Sequence, residues 1–496
     1  IIACRGRYAG MQNRRTFLKV AGTGSVTLAG CLHKPQTAEI DWVNDAHSQL
    51  NRTRVAGITR PEAPEAIQKL LRRGHTISIC GGRHAMGGQQ FGTDNRLVDT
   101  CSLNKILQFD RKNGLLEVEA GIQWPDVLKF LEANQGNDKK TWGFAQKQTG
   151  ADNLALGGAL SANAHGRGLQ FQPFVQDVES LRLINAEGDI VNCSRNINTE
   201  LFRHVIGGYG LFGLVYSLKL QLVPRQKVER RVEIIHARDL LPRLNQQIKA
   251  GALYGDFQFN IDSTNANFLQ EGVFSSYVPV PAGTPIPENQ RKLPAGAWKQ
   301  LIHLAHKDKA GAYEMYTRHY RSTHGQVYWS DAHQMSWYEE GYHNALEKQA
   351  GLRKGTEMIS EVYVPHDELA GFLASTANEF RKRNADVIYG TVRFIQKDET
   401  TALPWAKQDY ACIVLNLHVD HDPAGVAKAQ KDFRKLIDLA LERNGSFFLT
   451  YHRWATRQQI ETAYPEFTDF LAKKKQWDPG ERFQSDWYRH HRDLLR

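Results

Sequence analysis

The sequence predicts an α+β fold in two parts, and three observations carry that reading. At 496 residues the chain is too long for one ordinary core. Up to Pro224, strand-like and helix-like stretches alternate between glycine-rich loops; beyond it a second strand system begins, backed by helices. No Gly-x-Gly-x-x-Gly followed by an acidic residue opens a βαβ unit, so the first part is not a Rossmann domain.

Each element follows from local pattern. Residues 61–73 read as a helix with Ala66, Leu70 and Leu71 on one face. Residues 76–80 form a β-type run that ends in a glycine-rich loop. Residues 96–99 and 114–120 read as strands, and 124–134 as an amphipathic helix burying Val127, Leu128 and Leu131. Residues 178–193 read as a hairpin turning near Glu187-Gly188, 198–206 as a helix and 215–223 as a strand. In the second part a strand starts at 229–234, and the Pro- and Gly-rich stretch 278–294 reads as a surface loop. Strands at 361–365, 387–395 and 411–419 and a helix at 368–381 suggest a sheet backed by helices.

The glycine-rich loops carry the chemistry. Residues 79–89 read Ile-Cys-Gly-Gly-Arg-His-Ala-Met-Gly-Gly-Gln. Glycines let backbone approach a ligand closely, and their amides can form a concave anion site suited to a pyrophosphate. A second segment, 148–168, is rich in small residues and nearly uncharged until Arg167, which suits backbone lying against a large flat ligand. It contains Gly150, Gly157, Gly158, Ser161, His165 and Gly166. A third, 206–215, repeats the theme and ends in Gly213 and Val215.

In this order the motifs resemble the flavin-linked oxidases and dehydrogenases of the vanillyl-alcohol oxidase / p-cresol methylhydroxylase (PCMH) type. Gly81-Gly82-Arg83-His84-Ala85-Met86-Gly87-Gly88-Gln89 is similar to their Gly-x-Gly-His-Ser-x-x-Gly-Gln loop, and Leu156-Gly157-Gly158 through Ser161 to His165-Gly166 to their second flavin loop. The tail, with Tyr464-Pro465-Glu466-Phe467, Lys474-Lys475-Gln476-Trp477-Asp478-Pro479 and Phe483-Gln484-Ser485, resembles the returning C-terminal element of aldonolactone and alditol oxidases. The resemblance implies a two-part PCMH-type FAD-binding domain over 42–224, an α/β substrate cap with an antiparallel sheet over 225–445, and a segment 446–496 that returns to the FAD domain. It implies FAD held by Gly81, Gly82, Arg83, His84, Ala85, Gly88, Gln89, Gly150, Gly157, Gly158, Ser161, His165, Gly166, Gly213 and Val215. His84 occupies the position that is covalently bonded to the flavin in many members, and the second loop has no cysteine for a further link.

Catalytic candidates follow from the same resemblance. The Glu-x-Arg motif of the cap appears as Thr391-Val392-Arg393, with the acid replaced. His418 matches a histidine on a second strand. Strand alternation puts Asp420 on the same face as His418, so that the two can pair. A Pro-His-Trp-Gly-Lys element appears as Tyr451-His452-Arg453-Trp454-Ala455-Thr456 without its lysine. The expected reaction is oxidation of a CH–OH group in a carbohydrate-like alcohol or lactone, with oxygen or another acceptor taking the electrons. Oxidation of a C–N bond, as in cytokinin dehydrogenase-like relatives, and an exported flavin-binding protein without catalysis are the alternatives. Tyr328, Trp329, Trp337, Tyr338 and Tyr342 serve either a sugar pocket or core packing.

The net charge of +10 does not point to nucleic acid: the basic residues are scattered, no nucleic-acid motif occurs, and the densest run, Lys473-Lys474-Lys475, reads as a solvated helix face. Asn13-Arg14-Arg15-Thr16-Phe17-Leu18-Lys19, a short apolar run and Leu28-Ala29-Gly30-Cys31 resemble a twin-arginine signal ending in a lipoprotein cleavage box, with Met11 as the start. The expectation is export across a bacterial cytoplasmic membrane, with residues 1–31 as signal region and attachment to the membrane only through a lipid on Cys31. Cys80, Cys101, Cys193 and Cys412 show no metal spacing, so no metal site is expected, and Cys80 is read as a packing residue.

Overall fold

The computed structural model describes residues 41–136, 140–336 and 341–496. The twin-arginine segment, Cys31, Trp337 and Tyr338 lie outside the described residues.

The first glycine-rich loop leaves a small parallel sheet in the order Ile58–Thr59, Arg96–Asp99, Ile77–Cys80. Helix Pro64–Arg72 buries Ile67 and Leu71, each worth about 1.5–3 kcal/mol once removed from water. Leu70 is only partly covered, so the buried stripe sits one position off the expected face. The chain's tail closes the sheet: the Ile77 amide donates to the Arg482 carbonyl (2.7 Å) and the Gln484 amide to the Ile77 carbonyl (2.9 Å).

A five-stranded antiparallel sheet follows. The hairpin Val178–Ile184 / Ile190–Ser194 turns at Gly188, whose φ of +86° is a left-handed position. Strand Leu214–Gln221 lies at its centre, between Val178–Ile184 and Leu115–Glu119. Helix Trp124–Asn134 has the expected bounds and buries Trp124, Val127 and Leu131, while Leu128 stays half-buried. The second flavin-type segment is not all loop: Leu156–Ala162 is a helix whose Leu156, Ala159 and Leu160 are buried at helical spacing. The glycine pair hid it from sequence reasoning, because glycine has poor helix propensity.

The second part is built on an eight-stranded sheet. Its order is Val327–Trp329, Lys227–His236, Glu271–Val280, Tyr254–Phe259, Val387–Ile395, Tyr410–Asp420, Gly355–Pro365, Ser446–Phe447, and every printed neighbour is antiparallel. Strand Glu271–Val280 takes the first residues of the stretch read as a loop. Register sets the functional face. Glu361 and Thr391 both lie opposite Val414, and Arg393 lies opposite Cys412. With a period of two, Tyr389, Thr391 and Arg393 share a face with Cys412, Val414 and Asn416 and with Glu357, Ile359 and Glu361. Helices Leu369–Arg383 and Pro423–Leu441 pack on these strands.

The solvated-face reading of Lys473-Lys474-Lys475 needs correction. Helix Phe467–Trp477 buries Lys474 completely against the Asp478 carboxylate. Asp478 also accepts the amides of Arg482 and Phe483 (both 2.8 Å), so this ion pair holds the turn that returns the tail to Ile77.

Candidate active site

Both glycine-rich segments and the inner face of the large sheet line one cavity of about 280 Å³. The glycines act in two ways. A Cβ on Gly82 would lie 2.3 Å from the Asn153 carbonyl oxygen, and one on Gly81 would lie 2.7 Å from the Ala155 Cβ, so these two let the loops touch each other. Gly150 and Gly158 line the cavity, and a Cβ on either would meet nothing within 4 Å. That is a backbone-walled cradle which side chains would fill, and it fits a large flat cofactor.

Of the expected cofactor residues, Gly81, Gly82, Arg83, His84, Ala85, Gln89, Gly150, Gly157, Gly158, Ser161, His165, Gly213 and Val215 line this cavity. Gly88 and Gly166 do not. Gly88 is a turn residue at φ +76° beside Asn51, and Gly166 packs against the Lys147 backbone. His84 Nδ1 lies 2.8 Å from His47 Nε2. Burial keeps both imidazoles neutral: His84 is lowered to about 3, with His47 as the next cause, and His47 to about 4, with His343 as the next cause. Cys80 is buried behind the loop, and burial followed by the charge of Asp99 pushes its thiol up to about 12, as suits a packing residue.

The sheet contributes a polar group at the cavity wall. The Glu361 carboxylate is the hub. Its Oε1 lies 2.8 Å from His165 Nε2 and accepts from the Tyr363 hydroxyl (2.6 Å) and the Cys412 thiol (3.3 Å); its Oε2 accepts from the Tyr451 hydroxyl (2.9 Å). Burial alone would raise this carboxyl. The charge and hydrogen bond of His165, then Tyr363 and Arg393, outweigh it and hold Glu361 at about 2. Tyr451 moves the other way, raised by burial and then by Glu361, and stays a protonated donor. Arg393 lines the same cavity, as do Tyr451, Tyr389 and Asn416.

His418 and Asp420 do pair, Nε2 to Oδ1 at 3.7 Å, but neither lines the cavity. They stand behind Glu357, one rung too far along the strand, and Asn416 takes the place facing the cavity. Their assignment as residues touching substrate is corrected accordingly. Tyr342 lines the cavity, whereas Tyr328 and Trp329 do not; Tyr328 packs on Tyr277, and Trp329 lies under Arg225.

Sequence reasoning missed Glu357, Glu361, Tyr209 and His47, all of which line the cavity. The signal was present for the two acids. Glu357 and Glu361 stand four residues apart in a strand with no other charged residue, so both face the same buried side.

Comparison with known proteins agrees with this geometry. The FAD binding domain family matches residues 55–194, which hold the first loop and the second. An L-gulonolactone oxidase from Scyliorhinus torazame is 28% identical over 204 residues, 40% of this chain and 44% of that protein. Cytokinin dehydrogenase 2 from Arabidopsis thaliana is 30% identical over 175 residues, 34% of this chain and 33% of that protein. The chain thus spans less than half the length of these curated relatives. Residues 55–194 thus match an FAD binding domain, and the relatives found are consistent with FAD-linked proteins of the vanillyl-alcohol oxidase / p-cresol methylhydroxylase type.

Proposed function

We propose that the protein is an FAD-dependent oxidoreductase that oxidises a CH–OH group of a carbohydrate-like alcohol or lactone. The observation that carries the reading is the meeting, in one cavity, of the cofactor loops with the Glu361–His165–Tyr451–Arg393 group. Residues 42–224 and 446–496 would hold FAD and 225–445 the substrate. Bound FAD supplies the acceptor for the hydride that leaves the substrate carbon. The chain's part is to bind the substrate oxygen, aim it and take its proton. Arg393 offers positive charge to that oxygen. Glu361 is ionised and lines the cavity beside Tyr451, so its carboxylate accepts the hydroxyl hydrogen bond and takes the released proton itself. Carbon loses a hydride and the hydroxyl oxygen a proton, leaving a carbonyl, and molecular oxygen or another acceptor would finally take the two electrons.

Neutral His84 has the form needed for a covalent bond to the flavin, because only an unprotonated ring nitrogen can attack carbon. Export through the twin-arginine route, with lipidation at Cys31, belongs to the same reading, since a protein that loads its cofactor in the cytoplasm crosses already folded. The second reading, oxidation of a C–N bond, is favoured by the 30% identity to a cytokinin dehydrogenase.

The test begins with acid-precipitated protein. Yellow colour that stays with wild type and leaves with His84→Ala establishes the covalent link; colour released from wild type removes it. Anaerobic bleaching is then followed with polyols, aldonolactones and N-substituted adenines. Bleaching by the alcohols or lactones supports the first reading, bleaching by the amines the second, and a flavin that none of them reduces leaves a binding protein.

A further inference from the structure

Behind the Glu361 group, the same sheet carries a second buried cluster that the proposed reaction does not use. Glu357 is its centre. His306 Nε2, from helix Ala295–Lys307, lies 3.0 Å from Glu357 Oε1. His418 Nδ1, from the neighbouring strand, lies 3.5 Å from the same oxygen, and His343 Nε2, from helix Tyr342–Ala350, lies 3.1 Å from Oε2. The nitrogens of His306 and His418 and an oxygen of Glu357 all fall within 4.8 Å of one another. All four side chains are nearly inaccessible, from 1% exposed for His306 to 12% for His418.

These contacts are close but poorly directed for hydrogen bonds. His306 Nε2, Glu357 Oε1 and His418 Nδ1 are buried and have no partner of hydrogen-bond geometry among the described residues. Three orphaned polar atoms at one point demand an explanation, because buried polar groups are normally paired and costly to leave unsatisfied. Lone pairs that converge on a point, rather than pointing at one another's hydrogens, suit a shared cation. Around a tetrahedral zinc ion with bonds of about 2.0–2.2 Å, ligand atoms stand roughly 3.3–3.6 Å apart. The separations of 3.0 and 3.5 Å from Glu357 Oε1 are close to that edge, whereas His343 Nε2 faces the other oxygen, which also accepts from the Tyr342 hydroxyl.

The surroundings orient the ligands. Asp420, paired with Arg353 at 2.5 Å, stands 3.7 Å from His418 Nε2, and Nδ1 is the nitrogen that faces Glu357 and is left as the ligand atom. Gly355 makes room for the ring, since a Cβ there would lie 2.7 Å from it.

We propose that His306, Glu357 and His418 bind one divalent transition-metal ion of the zinc class. Two imidazoles and one carboxylate are a borderline donor set that favours such an ion over calcium or magnesium, which take oxygen ligands. Glu357 also lines the cofactor cavity, so the ion ties helix Ala295–Lys307 to the sheet at the cavity wall.

The test uses the full chain with its flavin. Elemental analysis of the purified protein, followed by chelator dialysis and titration with Zn²⁺ and with Co²⁺, reads the stoichiometry and the Co²⁺ ligand-field spectrum. The expected result is about one ion per chain, an intense tetrahedral Co²⁺ spectrum, loss of both in His306→Ala and His418→Ala, and roughly 10–100-fold weaker binding in Asp420→Asn. Wild-type protein that takes up neither ion after chelation overturns the proposal, and needs no variant to fold. So does an ion that survives in folded, flavin-loaded His306→Ala and His418→Ala.

Discussion

Replacing Glu361 by glutamine removes a buried negative charge while keeping its shape, and the structure sets both the size and the pH dependence of the loss. The carboxyl is lowered from its ordinary 4.5 to about 2. That difference corresponds to about 3 kcal/mol of preference for the ionised form in the fold. Because the folded value lies below the unfolded one, this stabilisation is complete above about pH 4.5 and is lost as pH falls through about 2. The gap between wild type and Glu361→Gln should therefore hold a component of about 3 kcal/mol at pH 7, about 2 at pH 3.5 and under 1 near pH 2.5. Any packing cost of the amide is constant with pH and appears as an offset. Paired urea unfolding at these pH values checks this. Trp405 is a local reporter, with its ring 4.6 Å from Tyr363 and 5.3 Å from His165. A gap that does not shrink on acidification refutes the reasoning, since it would mean that the donors around Glu361 stabilise shape rather than charge.

Other perturbations address other links. Gly158→Leu should fold normally and lose its flavin bands, because the new side chain enters open cavity, whereas Gly82→Ala should lower the unfolding free energy by about 1–3 kcal/mol by driving the two loops apart; visible spectra and urea melts separate the two. Asp478→Ala leaves the fully buried Lys474 and two amides without their partner and should cost about 3–5 kcal/mol, read as a drop in melting temperature with early loss of flavin. Burial raises the thiols of Cys80 and Cys193 to about 12 and holds that of Cys412 well above its ordinary value, so mass spectrometry should find none of the three alkylated in folded protein at about pH 8.

What the sequence disclosed and what it hid divide along a physical line. The cofactor loops were legible because they are contiguous: a glycine run after a strand is a local conformational signal, and thirteen of the fifteen residues that the family resemblance implied line the cavity. The two that do not, Gly88 and Gly166, are glycines for turn and packing reasons, which composition cannot tell from ligand contact. Elements with clear periodicity, such as Trp124–Asn134 and Val387–Ile395, were recovered to the residue. The polar group on the sheet was hidden because it is made by register. Thr391 looked like the loss of an acid, yet Glu361 sits on the same rung two strands away, joined through Val414. A strand pairing that spans thirty residues can move a carboxylate across a sheet while keeping it in one cavity, and no motif spacing records the move. The same cause displaced His418. Its pairing with Asp420 followed correctly from alternation, but which rung faces the cavity depends on the partner strand. The metal-ligand cluster is the extreme case. His306, Glu357 and His418 come from three elements at spacings that match no ligand motif, so the absence of a motif excluded only sites built within one local segment.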